Sequence, residues 1–123
     1  MSKKILLVGH CGPDSSFLRM TIKSAAPDAQ ILSADDEDEL TKAMETPLDL
    51  LLFNRELGYG FGDQTGIDVI RRLKAERADL KMMLVSNYSD AQAAAHEAGA
   101  LPGFGKRELG SARVAQLLKH VLA

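Results

Sequence analysis

A chain of 123 residues with 46% hydrophobic content suits one domain around one core, and the span 1–123 reads as a single domain. Its 15 basic and 17 acidic side chains leave a net charge of −2, and no basic run or stripe appears, which argues against nucleic-acid binding by this domain. The one cysteine, Cys11, has no internal disulfide partner, so a reducing cytoplasm is the expected setting. Lys3-Lys4 ahead of Ile5-Leu6-Leu7-Val8 looks like the start of a signal peptide, but the apolar stretch stops at Gly9. No segment approaches membrane-spanning length, and no membrane partner is expected.

The first apolar run, 4–9, reads as a strand and leads into His10-Cys11-Gly12-Pro13. Asp14 is the candidate N-cap of a helix over 14–26, with Ser15 and Ser16 beside it. A strand over 29–33 precedes a helix over 36–46 that opens on Asp35, Asp36, Glu37, Asp38 and Glu39. That acidic run resembles a metal site, but carboxylates also belong at the positive end of a helix dipole, and the second reading is preferred. The strand over 48–53 runs straight into Asn54. An Asp at the end of such a strand would suggest a phosphate-accepting carboxylate, and an amide changes the chemistry open to the domain. After a long loop comes a helix over 66–77, a strand over 81–85, an Ala-rich helix over 89–98, a strand over 100–104 and a helix over 107–122. In the last helix Val114, Leu117, Leu118, Val121 and Leu122 form a core stripe, leaving Arg113, Gln116, Lys119 and His120 outward.

The strands are continuous apolar blocks, as expected where both sheet faces are covered. Regular βα alternation argues for a parallel sheet with right-handed crossovers. In such sheets function gathers at the carboxyl ends of the strands.

The Leu48–Asn54 strand, Gly66-Ile67-Asp68-Val69-Ile70, Leu84-Val85-Ser86, Glu97-Ala98-Gly99-Ala100 and Lys106, in this order and spacing, resemble the receiver domain of bacterial two-component response regulators. The resemblance covers nearly the whole chain and implies a flavodoxin-like α/β fold, strand order 2-1-3-4-5, with the site between strands 1 and 3. In the family an Asp ending strand 3 accepts a phosphoryl group, and an acidic pair after strand 1 helps hold Mg²⁺. A hydroxyl after strand 4 and a Lys after strand 5 touch the phosphoryl group. By position the acid pair falls on Gly9 and His10, the acceptor on Asn54 and the metal's backbone-carbonyl ligand on Glu56. The hydroxyl falls on Ser86 and the lysine on Lys106.

All three family carboxylates are therefore missing. An amide forms no acyl phosphate, and Mg²⁺ requires hard oxygen ligands, usually including carboxylates. No cofactor or metal is expected. The exception would be a relocated carboxylate site using Asp14, Glu56 or Asp63. The family's proline after the lysine is Arg107 here, for which a trans bond is expected. Its switch aromatic falls on Gly103, with Phe104 one residue later, which argues against aromatic–hydroxyl switching.

The loop from Arg55 to Thr65 is longer than the family's, and three glycines alternate in it with Tyr59 and Phe61. It reads either as a partner-binding or lid loop, or as a mobile insertion whose rings fold back onto the domain. His10-Cys11 offers zinc, copper or redox chemistry, though a structural zinc site takes four protein ligands. A degenerated acidic pocket is the simpler account. Lys106 is expected either to pair with Glu56 or remain solvated, or to join Ser86 and Asn54 in holding an anion. The Ala-rich helix permits close approach of another surface, and receivers use helix 4, strand 5 and helix 5 for dimers or partners.

The resulting expectation is a receiver-like, non-enzymatic signalling module that acts on a protein partner without conventional Asp phosphorylation. A phosphorylatable regulator with relocated carboxylates, and a small-ligand, metal or redox protein using His10-Cys11, are the alternatives.

Overall fold

The computed structural model describes residues 2–123; Met1, the first residue of the span read as one domain, lies outside them. Five strands alternate with five helices: β1 Lys4–Val8, α1 Gly12–Ala25, β2 Gln30–Ala34, α2 Glu37–Met44, β3 Leu50–Asn54, α3 Gly66–Glu76, β4 Met82–Val85, α4 Ser89–Ala98, β5 Leu101–Phe104 and α5 Ala112–Leu122. The strands form one sheet in the order β2-β1-β3-β4-β5, and every pairing is parallel. This is the flavodoxin-like α/β order.

Side chains alternate across a strand, so the continuous apolar runs feed two cores at once. Leu6, Val8, Leu51, Phe53 and Leu84 pack with Leu40 of α2 and with residues of α3 and α4. Ile5, Leu7, Leu50, Leu52 and Met83 pack on the other face with residues of α1 and α5. The predicted stripe of α5 buries Val114, Leu118, Val121 and Leu122. Leu117 is half-buried against the same core.

The buried-strand expectation fails at the two sheet edges. Gln30, Leu32 and Ser33 of β2 are exposed, as are Leu101 and Pro102 of β5, because an edge strand has a neighbour on one side only. Proline tolerates this position, and the β4–β5 register is broken there: Met83 pairs with Leu101, but Val85 with Phe104.

Helix starts also move. The N-cap of α1 is Cys11 rather than Asp14; its backbone is extended, its side chain makes no cap hydrogen bond, and Pro13 sits in the first turn where no backbone donor is needed. Asp14 therefore lies inside the helix. The acidic start of α2 is a cap: Asp36 accepts from the Glu39 amide, and Glu39 accepts from the Asp35 amide. α5 begins at Ala112, later than 107, because Lys106–Glu108 forms a separate 3₁₀ turn and Ser111 caps the helix at the Val114 amide. Among the described residues no helix is long and apolar enough to cross a membrane.

Candidate functional site

The ends of β1, β3 and β4 and the turn after β5 meet at one edge of the sheet. Gly9 follows β1 with φ at +73°, and a Cβ there would lie 2.6 Å from Leu57 Cδ2. Leu57 comes from the long loop and is buried. It occupies the space above Gly9 where the resemblance implies an acidic side chain.

His10 does not reach out as a ligand. Its Nε2 is 2.9 Å from the Leu52 carbonyl oxygen. A carbonyl only accepts, so Nε2 carries the hydrogen and Nδ1 a bare lone pair. Nδ1 is buried without a partner. Burial pushes the imidazole below the ordinary histidine range, more strongly than the Leu52 hydrogen bond raises it. A second proton on Nδ1 would be buried with no acceptor. Cys11, by contrast, is exposed. The two neighbours thus diverge, and neither ring nitrogen is bonded to the thiol.

Asn54 holds the centre. Its Nδ2 donates to the Gly9 carbonyl at 3.1 Å and to the Glu56 carbonyl at 2.8 Å. Two acceptor-only partners fix which end of the amide is nitrogen. The carbonyl that corresponds to the family's metal ligand is therefore taken by an N–H donor of the chain itself.

Lys106 does not pair with Glu56. Its Nζ is 2.8 Å from Asp14 Oδ2, while Glu56 pairs with its neighbour Arg55 at 3.3 Å. The Lys106 ammonium holds the Asp14 carboxyl below the usual carboxylate range. The alternative anion site of Lys106, Ser86 and Asn54 loses two of its donors: the lysine is paired with Asp14 and both Asn54 amide hydrogens are committed. Asn54, Glu56, Ser86 and Lys106 still line one cavity of ≈ 280 Å³, with Tyr88 on its wall. The Arg55 guanidinium sits 5.1 Å from the Tyr88 ring centroid, a cation–π stack at the rim.

With Asp14 bound to Lys106 and Glu56 to Arg55, two of the three carboxylates considered for a relocated site are engaged by cations. Among the described residues no three His, Cys, Asp or Glu side chains converge as a metal cluster.

The long loop divides its two rings. Phe61 is 1% exposed in the core, whereas Tyr59 is fully exposed. Phe61 is therefore an anchor rather than a presented ring. Gln64 donates to Glu37 at 2.8 Å, Glu37 pairs with Arg72 at 2.9 Å, and Glu56 bridges to Thr65 at the loop base. The loop is thus tied to α2 and α3, and Tyr59 projects from a fixed base.

Two contributors were missed from the sequence. Leu57 was assigned no role, although an apolar residue two positions before an aromatic in a glycine-rich loop is a signal for an anchored loop. Gln92, the single amide side chain among the alanines of α4, turns inward: its Nε2 donates to the carbonyls of Leu84, Ser86 and Phe104 at 2.9, 3.0 and 3.2 Å.

No protein-family model matches the sequence. No curated protein matches it either. Solved structures do match. The signal receiver domain of a DNA-binding response regulator from Colwellia psychrerythraea 34H superposes with a TM-score of 0.77 at 17% identity, covering 98% of each chain. A candidate response regulator from Chloroflexus aurantiacus J-10-fl gives 0.82 at 17% identity, covering 99% of this chain and 98% of its own. A response regulator from Thermotoga maritima gives 0.69 at 20% identity, with 99% and 98% covered. The fold is that of a response-regulator receiver domain. At these identities the likeness speaks for the receiver fold alone, and the chemistry rests on the side chains at the sheet edge.

Proposed function

We propose that this receiver-like chain is a signalling module that acts through protein–protein contact and does not use phosphoryl transfer to residue 54. The observation that carries the reading is the Asn54 amide, which donates both of its hydrogens to the Gly9 and Glu56 carbonyls. Acyl-phosphate formation needs a carboxylate oxygen to attack phosphorus and a cation to offset the charge on the transferred group. An amide nitrogen supplies neither. The amide instead joins β1 to the segment after β3, the two segments that a metal would bridge in the family pattern.

Asp14 completes the substitution. It gives Lys106 a carboxylate partner from inside α1. The pocket is thus closed electrostatically without phosphate or metal. We further propose that the module is non-enzymatic and that its output is a protein surface, with Tyr59 on its anchored loop and the face of α4, β5 and α5 as the two candidates. Ala91, Ala95 and Ala98 of α4 face the chain's own core, so a homodimer through that face would rest on Ala93, Ala94 and the partly exposed Leu101.

The test is incubation with acetyl phosphate or phosphoramidate and Mg²⁺, read by intact-protein mass. The expected result is no phosphoryl adduct. An Mg²⁺-dependent adduct mapped to Asp14 or Asp63 would replace this reading with a receiver that has relocated its carboxylates.

A further inference from the structure

The end of β4, the first turn of α4 and the end of β5 lie together at one corner of the sheet. In this chain those three segments converge on one side chain. Gln92 leaves α4 inward and places its Nε2 within 2.9 Å of the Leu84 carbonyl, 3.0 Å of the Ser86 carbonyl and 3.2 Å of the Phe104 carbonyl. An amide nitrogen has two hydrogens, so the two shorter contacts are full bonds and the third shares a hydrogen. All three acceptors are carbonyls, which leaves no ambiguity about the amide's orientation.

The residue that makes room for this arrangement is Gly103. A Cβ at 103 would lie 2.2 Å from the Leu84 carbonyl oxygen and 2.8 Å from Gln92 Oε1. A side chain at 103 and the inward amide at 92 therefore compete for one volume. The broken β4–β5 register carries Phe104 past this point into the opposite core, where it is buried among Val85, Val114 and Leu118. The Phe104 ring therefore lies in the core on the face of the sheet away from α4.

Ser86 is held on every polar atom. Its amide donates to the Phe104 carbonyl at 2.9 Å, its carbonyl accepts from Gln92, and its hydroxyl oxygen accepts from the Tyr88 amide at 3.3 Å. The side chain is 5% exposed, so releasing any of these contacts leaves a polar group poorly solvated.

We propose that Gln92 is an internal latch that holds β4, α4 and β5 in one arrangement, so that the α4–β5 face is presented permanently rather than switched. This deepens the phosphorylation-independent reading and rests on it for its meaning, but not for its test. The partner of such a face meets a pre-organised surface, and control passes to the amount of partner or of the chain itself.

The test uses Gln92→Met, which keeps the side-chain length and removes the donors, together with the unmodified protein. Native-state hydrogen exchange is followed at the Ser86 amide. In Gln92→Met this amide exchanges about tenfold faster or more, while amides of β1 and β3 are little changed. In the unmodified protein, relaxation dispersion shows no μs–ms exchange across residues 84–92 and 101–105. An unchanged Ser86 rate in Gln92→Met, or clear μs–ms exchange of that region in the unmodified protein, overturns the latch. The second measurement stands even if the variant does not fold. Both are made without Mg²⁺ or phosphodonor, so they separate from the phosphorylation assay: an adduct there would sink the functional reading and leave the latch as measured.

Discussion

Lys106 and Asp14 form an ion pair, with Nζ 2.8 Å from Oδ2, that joins the turn after β5 to the first turn of α1. Each side chain is about one-third exposed, so the pair is worth little as a stabiliser, but it gives Lys106, which lines the cavity, a carboxylate partner.

Replacing Asp14 by Asn should cost roughly 1 kcal/mol or less of unfolding free energy in urea. It should also free the Lys106 ammonium, so titration with inorganic phosphate moves the Ser86 and Lys106 amide resonances in the variant and not in the parent. Because the folded carboxyl is held low, the pair's contribution is present above the ordinary carboxyl value of 3.8 and disappears as pH falls through the lower folded value. Equal phosphate response in both proteins would remove Asp14 from its assigned role.

Asn54→Asp tests the amide bridge. An anionic oxygen in the Nδ2 position faces two carbonyl oxygens and loses both hydrogen bonds, a destabilisation of roughly 1–3 kcal/mol at neutral pH. The new carboxyl should titrate above its ordinary range, so the loss should shrink as pH falls through that raised value. Thermal melts with and without Mg²⁺ decide the point. Recovery of stability on adding Mg²⁺ would mean that the site already holds the rest of a cation shell.

His10 predicts a pH effect of its own. Its folded pKa lies below the ordinary histidine value of 6.5 because of burial, so the unfolded chain takes up the proton first. Stability should be fully present above that value and decline as pH falls through it, by no more than about 1.4 kcal/mol per pH unit. His10→Gln keeps a donor for the Leu52 carbonyl and removes the titration. Its unfolding free energy should change less between neutral and mildly acidic buffer than that of the parent.

The two rings of the long loop should respond in opposite ways. Phe61→Ala should cost about 3–5 kcal/mol, as a buried ring does, whereas Tyr59→Ala should stay within about 0.5 kcal/mol of the parent. Similar losses for both would show that Tyr59 packs in solution and would withdraw it as a docking side chain.

Much of the fold was legible because apolar blocks are a local signal. The runs 48–53 and 81–85 read as buried strands, and Leu50–Phe53 and Met82–Val85 within them are buried, while the periodicity of α5 identified its inward face. The edge strands were harder, since β2 owes its exposure to sheet position rather than composition. The start of α1 was missed because Cys11 caps through backbone geometry, while Asp14 has the better capping side chain. Within the site, residue types indicated that positions 9, 10 and 54 carry no carboxylate. They did not indicate which partners were chosen: Glu56 and Asp14 are both carboxylates, and only the packing of α1 beside the β5 turn selects Asp14. Gln92 was hidden for the same reason, as its three acceptors are backbone atoms of β4, β5 and the turn between β4 and α4, which no side-chain pattern announces.

In the proposed reading Asn54, Asp14 and Lys106 close the pocket without metal or phosphoryl group. Amide NMR spectra recorded before and after Mg²⁺, and again after beryllofluoride as an acyl-phosphate mimic, test it most directly. No saturable shifts are expected at Gly9, Asn54, Ser86 or Lys106. Saturable, Mg²⁺-dependent shifts at these residues would contradict it and establish a working receiver site built from other carboxylates.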